Sequence, residues 1–477
     1  MDQTTLVELG RTKLIMTTFR EEADTLGTVK IPTTALWGAQ TERSRHNFPH
    51  GPLMPVQVIR ALLQIKQAAA EVNQAFETLS PAKSVVISQA VRQLLALDDD
   101  KLMADFPLHV YQTGSGTQTN MNVNEVLAHV AAQIDADTPV LPNDDINQSQ
   151  SSNDTFPTAM NIAATLALKP VMTQTQNLIA ALTLKQKKYW RTVKIGRTHL
   201  QDATPLTFGQ EVSGWISMLQ HDLTYLEQLA PTLLELPIGG TAVGTGLNTR
   251  PAFAEKVTGQ LAGTYGIKFV PADNDFAGLA AHSGLNVVHG ALRTLAADLV
   301  KIGNDIRFLA SGPRAGYGEL TIPANEPGSS IMPGKVNPTQ IEALTMAAAR
   351  VMGNDTTINF AASQGNFEMN VYKPVIIAAF LESTELLSGT IEGVTTKLVA
   401  GLTVNKARMR ALVDQSLMTV TALSPHIGYH HAAEIAQLAE KDGSTLRVAA
   451  LKSGYVTATD FDDWVDPLKM TNIDRQE

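Results

Sequence analysis

The stretch "EPGSSIMPGKVNP", Glu326 to Pro338, contains two glycines, three prolines, a pair of serines and one lysine. Proline removes backbone donors and glycine loses much backbone order on folding, so this run predicts neither helix nor strand. Helical periodicity is absent from about Ser311 to Pro338, and an ordered domain seldom carries so long a loop unless it covers or binds a ligand. We therefore interpret this segment as an ordered loop that covers or binds a ligand. Its predicted apolar anchors are Ile331, Met332 and Val336.

Helical periodicity dominates the rest of the chain. The series Leu292, Leu295, Leu299, Ile302, Ile306 and Leu309 is close to a heptad seam, which suits a long helix packed lengthwise against others. Four further alanine- and leucine-rich segments run over about 158–188, 207–235, 339–360 and 371–398. Strand patterns are scarce, and "GTVKIP" from Gly27 is one short candidate. The sequence predicts a mainly α protein built around a central bundle of five long helices.

Two interruptions of the periodicity predict the domain boundaries. The first is the polar run "PNDDINQSQSSND" from Pro142, and the second is a change to shorter helices near Gly401. We expect an N-terminal domain over residues 1–150, a central helical bundle over 151–400 and a small C-terminal domain over 401–477. Alanine on several faces of the apolar helices also favours packing against other bundles, and hence an oligomer.

Composition excludes several classes of function. The 477 residues carry a net charge of -9 without clustered Lys and Arg, which argues against a nucleic-acid partner. The chain has no cysteine, so disulfides, thiolate zinc sites and iron-sulfur clusters are excluded. Neither a signal-peptide core nor 18 consecutive apolar residues occurs, which predicts a cytoplasmic protein without a membrane span.

Three further polar islands interrupt the helices. The first, "TGSGTQTNMN" from Thr113, leads into the helix "VNEVLAHVAAQI" and offers Ser115 and Thr117 to an anion. The second, "SQSSND" from Ser149, also precedes a helix. Helix capping explains both islands as readily as anion binding does. The third, "GRTHLQDATP" from Gly196, places His199 beside Thr198 in a predicted loop.

Two other features are set aside. "GGTAVGTG" from Gly239 has the glycines of a dinucleotide loop, but it follows a helix and lacks a βαβ context. His426 and His430 have the spacing of a metal clip, yet no third ligand is evident. We predict no metal site and no cofactor.

Taken together, the four islands resemble the fumarase/aspartase superfamily, whose signature loop matches "GSSIMPGKVNP" at Gly328 to Pro338. The resemblance runs from "LWGAQTERS" at Leu36 to "DDWVDPLKM" at Asp462. Gly334 separates the chain from argininosuccinate and adenylosuccinate lyases. His199 and the "GSGTQ" run with Ser115 and Gln118 resemble class II fumarases rather than aspartate ammonia-lyases. The resemblance implies a three-domain, metal-independent lyase whose active sites are shared between subunits of a homotetramer.

By the same resemblance, the reaction is reversible trans hydration of fumarate to L-malate through an aci-carboxylate. Ser329 would be the base at C3, with Ser330 beside it, and His199 paired with Glu342 would serve the hydroxyl side through a water. A group of polar side chains would hold the two carboxylates: Ser115, Thr117, Ser152, Asn153, Thr198, Lys335 and Asn337. Such donors and a cation are what a doubly charged intermediate requires.

The chain differs from the fumarase pattern in two places, and two alternative functions stay open. Fumarases often have "HPND" at an accessory dicarboxylate site, whereas this chain has Leu141 there and retains Asn143 and Asp144. The N-terminus runs about fifteen residues beyond the family's usual start, so residues 1–15 are a predicted disordered extension and Met16 a predicted natural start. The rival functions are aspartate ammonia-lyase and a non-catalytic structural homologue.

Overall fold

The computed structural model describes residues 18–475, so the predicted extension over 1–15 and the predicted start at Met16 lie outside the described residues. Helix accounts for 63% of the chain, which confirms the mainly α prediction. Short strands pair into four two-stranded sheets within the described range. The strands are β1 (Phe19–Asp24), β2 (Gly27–Pro32), β3 (Val193–Thr198), β4 (Gln201–Thr207), β5 (Glu235–Leu236), β6 (Val270–Pro271), β7 (Leu320–Thr321) and β8 (Thr403–Val404). Only β5 and β6 are parallel.

The helices are numbered in chain order. The first nine are α1 (Ala39–Asn47), α2 (Val56–Ala75), α3 (Pro81–Leu95), α4 (Asp99–Met103), α5 (Thr117–Ile134), α6 (Ser152–Lys188), α7 (Phe208–Leu229), α8 (Phe253–Tyr265) and α9 (Asp275–Ala280). The others are α10 (Ser283–Leu309), α11 (Thr339–Ala362), α12 (Lys373–Gly393), α13 (Lys406–Gln415), α14 (Ser424–Ile427), α15 (Tyr429–Asp442), α16 (Leu446–Ser453) and α17 (Ala458–Trp464). Two π-helical turns cover Pro142–Ile146 and Val394–Val399, and four 3-10 turns cover Ala230–Leu233, Leu417–Ala422, Lys469–Thr471 and Ile473–Arg475.

The chain is organised in two compact units, each made of separate segments. The first comprises the described residues up to Ala164 together with Leu233–Ser283 and Phe360–Ala378. The second comprises Thr165–Thr232, Gly284–Asn359 and the described residues from Ala379 onward. Helices α6, α10, α11 and α12 each contain residues of both units, α10 only through Ser283. The three sequential domains expected from the sequence stay a prediction.

The five long helices predicted from periodicity are α6, α7, α10, α11 and α12. The heptad seam of α10 is buried along its whole length, from Leu292 to Leu309. Helix α7 begins with a capping box, in which Thr207 and Gln210 each satisfy the backbone N–H of the other. A buried apolar seam and a satisfied N-terminus both stabilise a long helix.

Close packing ties the helices of the second unit together. A Cβ atom on Gly303 of α10 would lie 3.0 Å from Ile341 of α11, so this glycine lets the two helices approach. Trp215 of α7 donates from Nε1 to Asp305 of α10 at 3.0 Å. The contacts join three of the long helices through their buried faces.

One helical stretch among the described residues, Lys373–Val399, could cross a bilayer by length and apolar composition alone. More than half of its most apolar part is buried. Core helices of water-soluble proteins have the same properties, so the stretch is weak evidence for a membrane span.

Two helix starts differ from the prediction. Helix α5 begins at Thr117, not at Val123, and α6 begins at Ser152, not near residue 158. The polar residues that were predicted to be loop are therefore the first turns of two helices. The local sequence pattern did not predict these starts. Thr, Asn and Ser have low helical propensity, because their side chains can form hydrogen bonds with nearby backbone groups that compete with the helix.

Candidate active site

The loop that carries Ser329 is closed by hydrogen bonds across its base. The N–H of Gly328 donates to the carbonyl of Lys335 at 3.0 Å, and Asn337 Nδ2 donates to the carbonyl of Gly328 at 2.7 Å. Inside this closed loop, Ser329 Oγ accepts from the N–H groups of Ile331 and Met332, at 3.2 and 3.1 Å. Two N–H donors directed at one serine oxygen favour negative charge on that oxygen.

The predicted apolar anchors of this loop do not anchor it. Ile331 is 83% exposed, and Met332 and Val336 are also exposed. Ser330 and Lys335 face solvent as well. Backbone hydrogen bonds and Asn337 hold the loop instead. Apolar periodicity does not predict these anchors, because they are backbone atoms and one amide side chain.

His199 lies at the tip of a β-hairpin, between β3 and β4. Thr198 pairs with Gln201, so His199 and Leu200 are the two turn residues, and both have positive φ, 56° and 61°. A two-residue hairpin turn of this kind normally uses Asn-Gly, since positive φ is costly for residues with a Cβ. Non-glycine residues held at positive φ in such a turn make it a candidate functional position. The imidazole is exposed at the tip.

A buried charge cluster supports this hairpin from below. Arg197 donates from both terminal nitrogens to Glu319, at 2.8 and 3.3 Å. Glu319 is fully buried and also lies 3.6 Å from Lys194, whose ammonium donates to Glu211 at 3.2 Å. The Arg197 guanidinium also stacks over the ring of Tyr317, 4.3 Å from its centroid. Fork-shaped pairing of this kind fixes orientation, so the cluster holds the strands that present His199.

Glu342 lies in the first turn of α11, where the sequence predicted it. Its side chain is exposed, and so is that of His199. Among the described residues neither side chain makes a hydrogen bond or an ion pair, so the predicted pair is not formed within one chain.

The first island forms the N-terminus of α5. Gly116 is the N-cap with φ 80°, and a Cβ atom there would lie 2.3 Å from the ring of Phe156, so only glycine fits. Ser115 Oγ and Thr117 Oγ1 lie 2.8 Å apart and share a hydrogen bond. Two hydroxyls beside the free N–H groups of a helix N-terminus are an arrangement that binds carboxylate.

The second island forms the N-terminus of α6. Asp154 accepts from the N–H groups of Gly239 and Thr241, at 2.9 and 3.0 Å, and Asn153 Nδ2 donates to the carbonyl of Ala242 at 2.7 Å. The glycine-rich segment "GGTAVGTG" thus packs on the second island. Gly239 in this segment has φ 103°, a backbone conformation that favours glycine.

Two residues of this region, Thr241 and Ser152, have structural features that the sequence does not show. Thr241 has φ 55°, and its Oγ1 is buried without a hydrogen-bond partner among the described residues. Ser152 is buried, and Asn120 Nδ2 donates to its Oγ at 3.1 Å. Asn120 was not a predicted site residue. It belongs to the first polar island, but the sequence does not show which side chain of that island is buried against Ser152.

A fully buried lysine lies beneath the second island. Lys66 of α2 donates from Nζ to Asn147 Oδ1 at 3.0 Å and to Gln150 Oε1 at 2.9 Å. Burial lowers the pKa of Lys66 to about 7, and attraction to Asp154 opposes the shift. Burial also raises the pKa of Asp154 to about 6, against the backbone donors that it accepts from. Electrostatic attraction between Lys66 and Asp154 opposes both of these shifts.

The predicted accessory residues lie on the π-helical turn Pro142–Ile146. Asn143, Asp144 and Leu141 are exposed there, while Asp145 pairs with Lys83 at 2.8 Å. Within residues 18–475, no group of three or more His, Asp or Glu side chains could hold a metal ion. An accessory dicarboxylate site on this turn stays a prediction.

Comparison with known proteins gives a consistent set of relatives. Residues 27–353 match the family model described as Lyase, and residues 420–472 match the one described as Fumarase C C-terminus. The class II fumarate hydratase of Listeria monocytogenes serotype 4b is 56% identical, over 95% of this chain and 100% of that protein. That of Nitrosomonas europaea is 53% identical, over 96% and 100%. The crystal structure of class II fumarase from Schistosoma mansoni has a TM-score of 0.90 and 40% identity, over 95% and 99%.

Proposed function

Because the chain belongs to the class II fumarate hydratase family of lyases, we propose that it hydrates fumarate to L-malate reversibly, by trans addition through an aci-carboxylate intermediate. The observation that carries the mechanism is the geometry of the 328–337 loop. Two N–H groups converge on Ser329 Oγ, and Lys335 lies on the same loop with no ion-pair partner among the described residues.

In this mechanism Ser329 is the base that removes the C3 proton of malate. A serine hydroxyl is a weak base at neutral pH unless its oxyanion is stabilised. The N–H groups of Ile331 and Met332 supply that stabilisation. Ser330, the next residue, contributes a second hydroxyl to the substrate.

Charge in the intermediate builds up on the carboxylate next to the carbanion. Its stabilisation requires donors and a cation that are already in place. We assign Lys335 and Asn337 to this carboxylate, together with the hydroxyl and amide groups of the other islands, which are Ser115, Thr117, Ser152, Asn153 and Thr198. The helix N-termini of α5 and α6 support such a role, because four of these residues lie at or next to them.

On the hydroxyl side, His199 acts through a water molecule and Glu342 tunes the imidazole. General acid-base catalysis of this type contributes about 100-fold to 10,000-fold. We propose that a second subunit completes the pair, because neither side chain makes a hydrogen bond or an ion pair within the described part of one chain. We therefore propose a homotetramer with active sites shared between subunits, working in the cytoplasm on a small dicarboxylate without metal or cofactor.

Aspartate ammonia-lyase is the alternative in the same superfamily. His199 and Gln118 favour the hydratase, and Gln118 Oε1 accepts from the N–H of Thr113 at 3.1 Å, closing the first island. A non-catalytic homologue is the other alternative. A scaffold protein has no use for strained turn residues at the tip of an exposed hairpin.

The test is the release of fumarate from L-malate or L-aspartate by the purified, chelator-treated protein, for wild type and for Ser329→Ala. We expect fumarate from malate alone, with kcat reduced at least about 1,000-fold in the variant because its base is gone. Release from aspartate alone would establish the ammonia-lyase. Silence with both substrates on an intact oligomer would support the non-catalytic homologue.

A further inference from the structure

Lys66 occupies an unusual place for a charged side chain. Helix α2 buries a continuous apolar face, and Leu62, Leu63, Ile65 and Ala69 on it are fully buried. Lys66 is on the same face and is also fully buried. Burying an ammonium group costs several kcal/mol even when it is paired, so an apolar side chain of similar length would serve packing better. Packing of the core therefore does not explain why a lysine occupies this position.

The hydrogen bonds of Lys66 lead to a single hub, Asn147 Oδ1. This oxygen accepts from Lys66 Nζ at 3.0 Å, from Asn120 Nδ2 at 3.0 Å and from Asn124 Nδ2 at 3.2 Å. The amide of Asn147 in turn donates to the carbonyl of Gln150 at 3.3 Å, and Gln150 Oε1 accepts from Lys66. Lys66 thus fixes both ends of the segment that leads into α6.

The network continues to a proposed substrate ligand. Asn120 Nδ2, held at the hub, also donates to Ser152 Oγ at 3.1 Å. Asn120 Oδ1 accepts from Thr155 Oγ1 at 3.2 Å, which sets the orientation of this amide. Since Ser152 Oγ accepts from Asn120, its own hydrogen is free to be donated to an anion. Lys66 is therefore linked to the Ser152 hydroxyl through two amides.

Electrostatic attraction between Lys66 and Asp154 supports the same arrangement. Asp154, two residues after Ser152, attracts the ammonium of Lys66 and holds the Gly239–Thr241 backbone through two N–H groups. Asp154 thereby joins the first turn of α6 to the Gly239–Thr241 segment. Networks of this kind hold their members in one arrangement more strictly than isolated bonds do.

We propose that Lys66 is a positioning residue of the dicarboxylate site: it holds Asn147, Gln150 and, through Asn120, the Ser152 hydroxyl in the geometry that binds a substrate carboxylate. The role rests on the function proposed above, because it acts through Ser152. It makes no contact with substrate.

A double-mutant cycle tests this role with three variants: Lys66→Met, Ser152→Ala and the combination. In the wild-type background, Lys66→Met is expected to raise KM for L-malate about tenfold, as for loss of one charge-assisted contact, with a smaller change in kcat. In the Ser152→Ala background the same substitution is expected to raise KM much less, because the hydroxyl that Lys66 positions is already gone.

Two controls separate positioning from general damage. Lys66→Arg keeps a positive charge and N–H donors for both amide oxygens, although in a planar group of different shape, and is expected to recover part of the affinity. Leu63→Ala, on the same buried face, is expected to lower the melting temperature at least as much as Lys66→Met and to leave KM unchanged. If Lys66→Met lacks the thermal transition of the wild type, Lys66→Gln takes its place in the cycle.

Equal effects of the lysine substitution in both backgrounds, or an unchanged KM in a folded Lys66→Met, would overturn the positioning role alone. A wild-type protein that released no fumarate from malate would instead overturn the proposed function, and with it the substrate role of this network. The two failures are distinguished by the wild-type assay.

Discussion

Asn337 Nδ2 donates to the carbonyl oxygen of Gly328 at 2.7 Å, and this bond closes the loop that carries Ser329. The N–H of the same glycine donates to the carbonyl of Lys335 at 3.0 Å. The serine therefore lies in a ring whose closure depends on one glycine and one amide. These polar contacts hold the loop although its large apolar side chains are exposed.

Gly328→Ala is expected to open this ring. A Cβ atom at position 328 would lie 2.4 Å from the carbonyl oxygen of Lys335, so the loop must shift away. Displacing a base by about 1 Å can cost about 100-fold in rate, so we expect a fall of that order in kcat for L-malate. Steady-state kinetics with circular dichroism would measure it. The matched control is Gly263→Ala in α8, where a Cβ atom meets nothing within 4 Å and kcat should not change.

The charge cluster beneath His199 makes a second prediction. Removing one partner of a buried ion pair typically costs about 3–5 kcal/mol, whereas replacing both by apolar groups costs much less. We expect Arg197→Met to lower the melting temperature more than the double variant Arg197→Met/Glu319→Met does, because Glu319 is fully buried. Differential scanning calorimetry at neutral pH would compare them. A double variant less stable than the single one would show that the pair itself stabilises the hairpin.

Two carboxyl groups that face each other, Asp222 of α7 and Asp298 of α10, predict that the stability of the protein depends on pH. Asp222 is almost fully buried, its carboxyl oxygens find no hydrogen-bond donor among the described residues, and it faces Asp298. Burial, followed by the charge of Asp298, raises the pKa of Asp222 to about 7 from 3.8. The folded state therefore holds this proton more tightly than the unfolded state does. The resulting stability is complete below pH 3.8 and is lost as the pH rises through about 7.

Asp222→Asn should remove this loss. We expect a higher melting temperature than wild type at pH 8, and a difference that shrinks steadily toward pH 4. Thermal unfolding measured across that range would show it. Asp273→Asn, an exposed acid in a loop, carries the same change of charge and should leave the pH profile unchanged. A constant offset between Asp222→Asn and wild type at every pH would contradict the titration.

The sequence predicted the long helices because their apolar seams repeat, and α10 and α11 lie close to where periodicity placed them. It missed the first turns of α5 and α6, because the Thr, Asn and Ser residues in those turns have low helical propensity. Lys66 was invisible for a different reason. Its partners, Asn147 and Gln150, lie more than 80 residues away, and a lysine among apolar residues in a helical pattern is normally read as a side chain that extends to solvent.

The prediction that apolar residues anchor the Ser329 loop was wrong for a related reason. Apolar residues in a loop are expected to be buried against their own chain, yet Ile331 is among the most exposed large side chains of the described residues. The rule assumes one chain. In the proposed homotetramer, another subunit would cover these apolar residues.

Helix α12 contributes the last prediction. Ser383 Oγ lies 2.8 Å from His289 Nε2, and His289 Nδ1 lies 2.9 Å from Asp355, an order of groups that resembles a hydrolase triad. However, Ser383 is fully buried, its hydroxyl donates to the carbonyl of Ala379 at 2.8 Å, and Asn354 donates to it at 3.1 Å. The oxygen therefore serves as an acceptor that links three helices. It has no access to a substrate.

We expect Ser383→Ala to lower the free energy of unfolding by about 1–3 kcal/mol, the cost of leaving buried donors unpaired, while kcat and KM for L-malate stay at wild-type values. Urea denaturation and the malate assay on the same preparation would measure both. A fluorophosphonate probe, which labels activated serines, should leave the wild-type protein unmodified. Labelling that disappears in Ser383→Ala would show that the bundle opens enough to expose a reactive serine, and the purely structural assignment would be wrong.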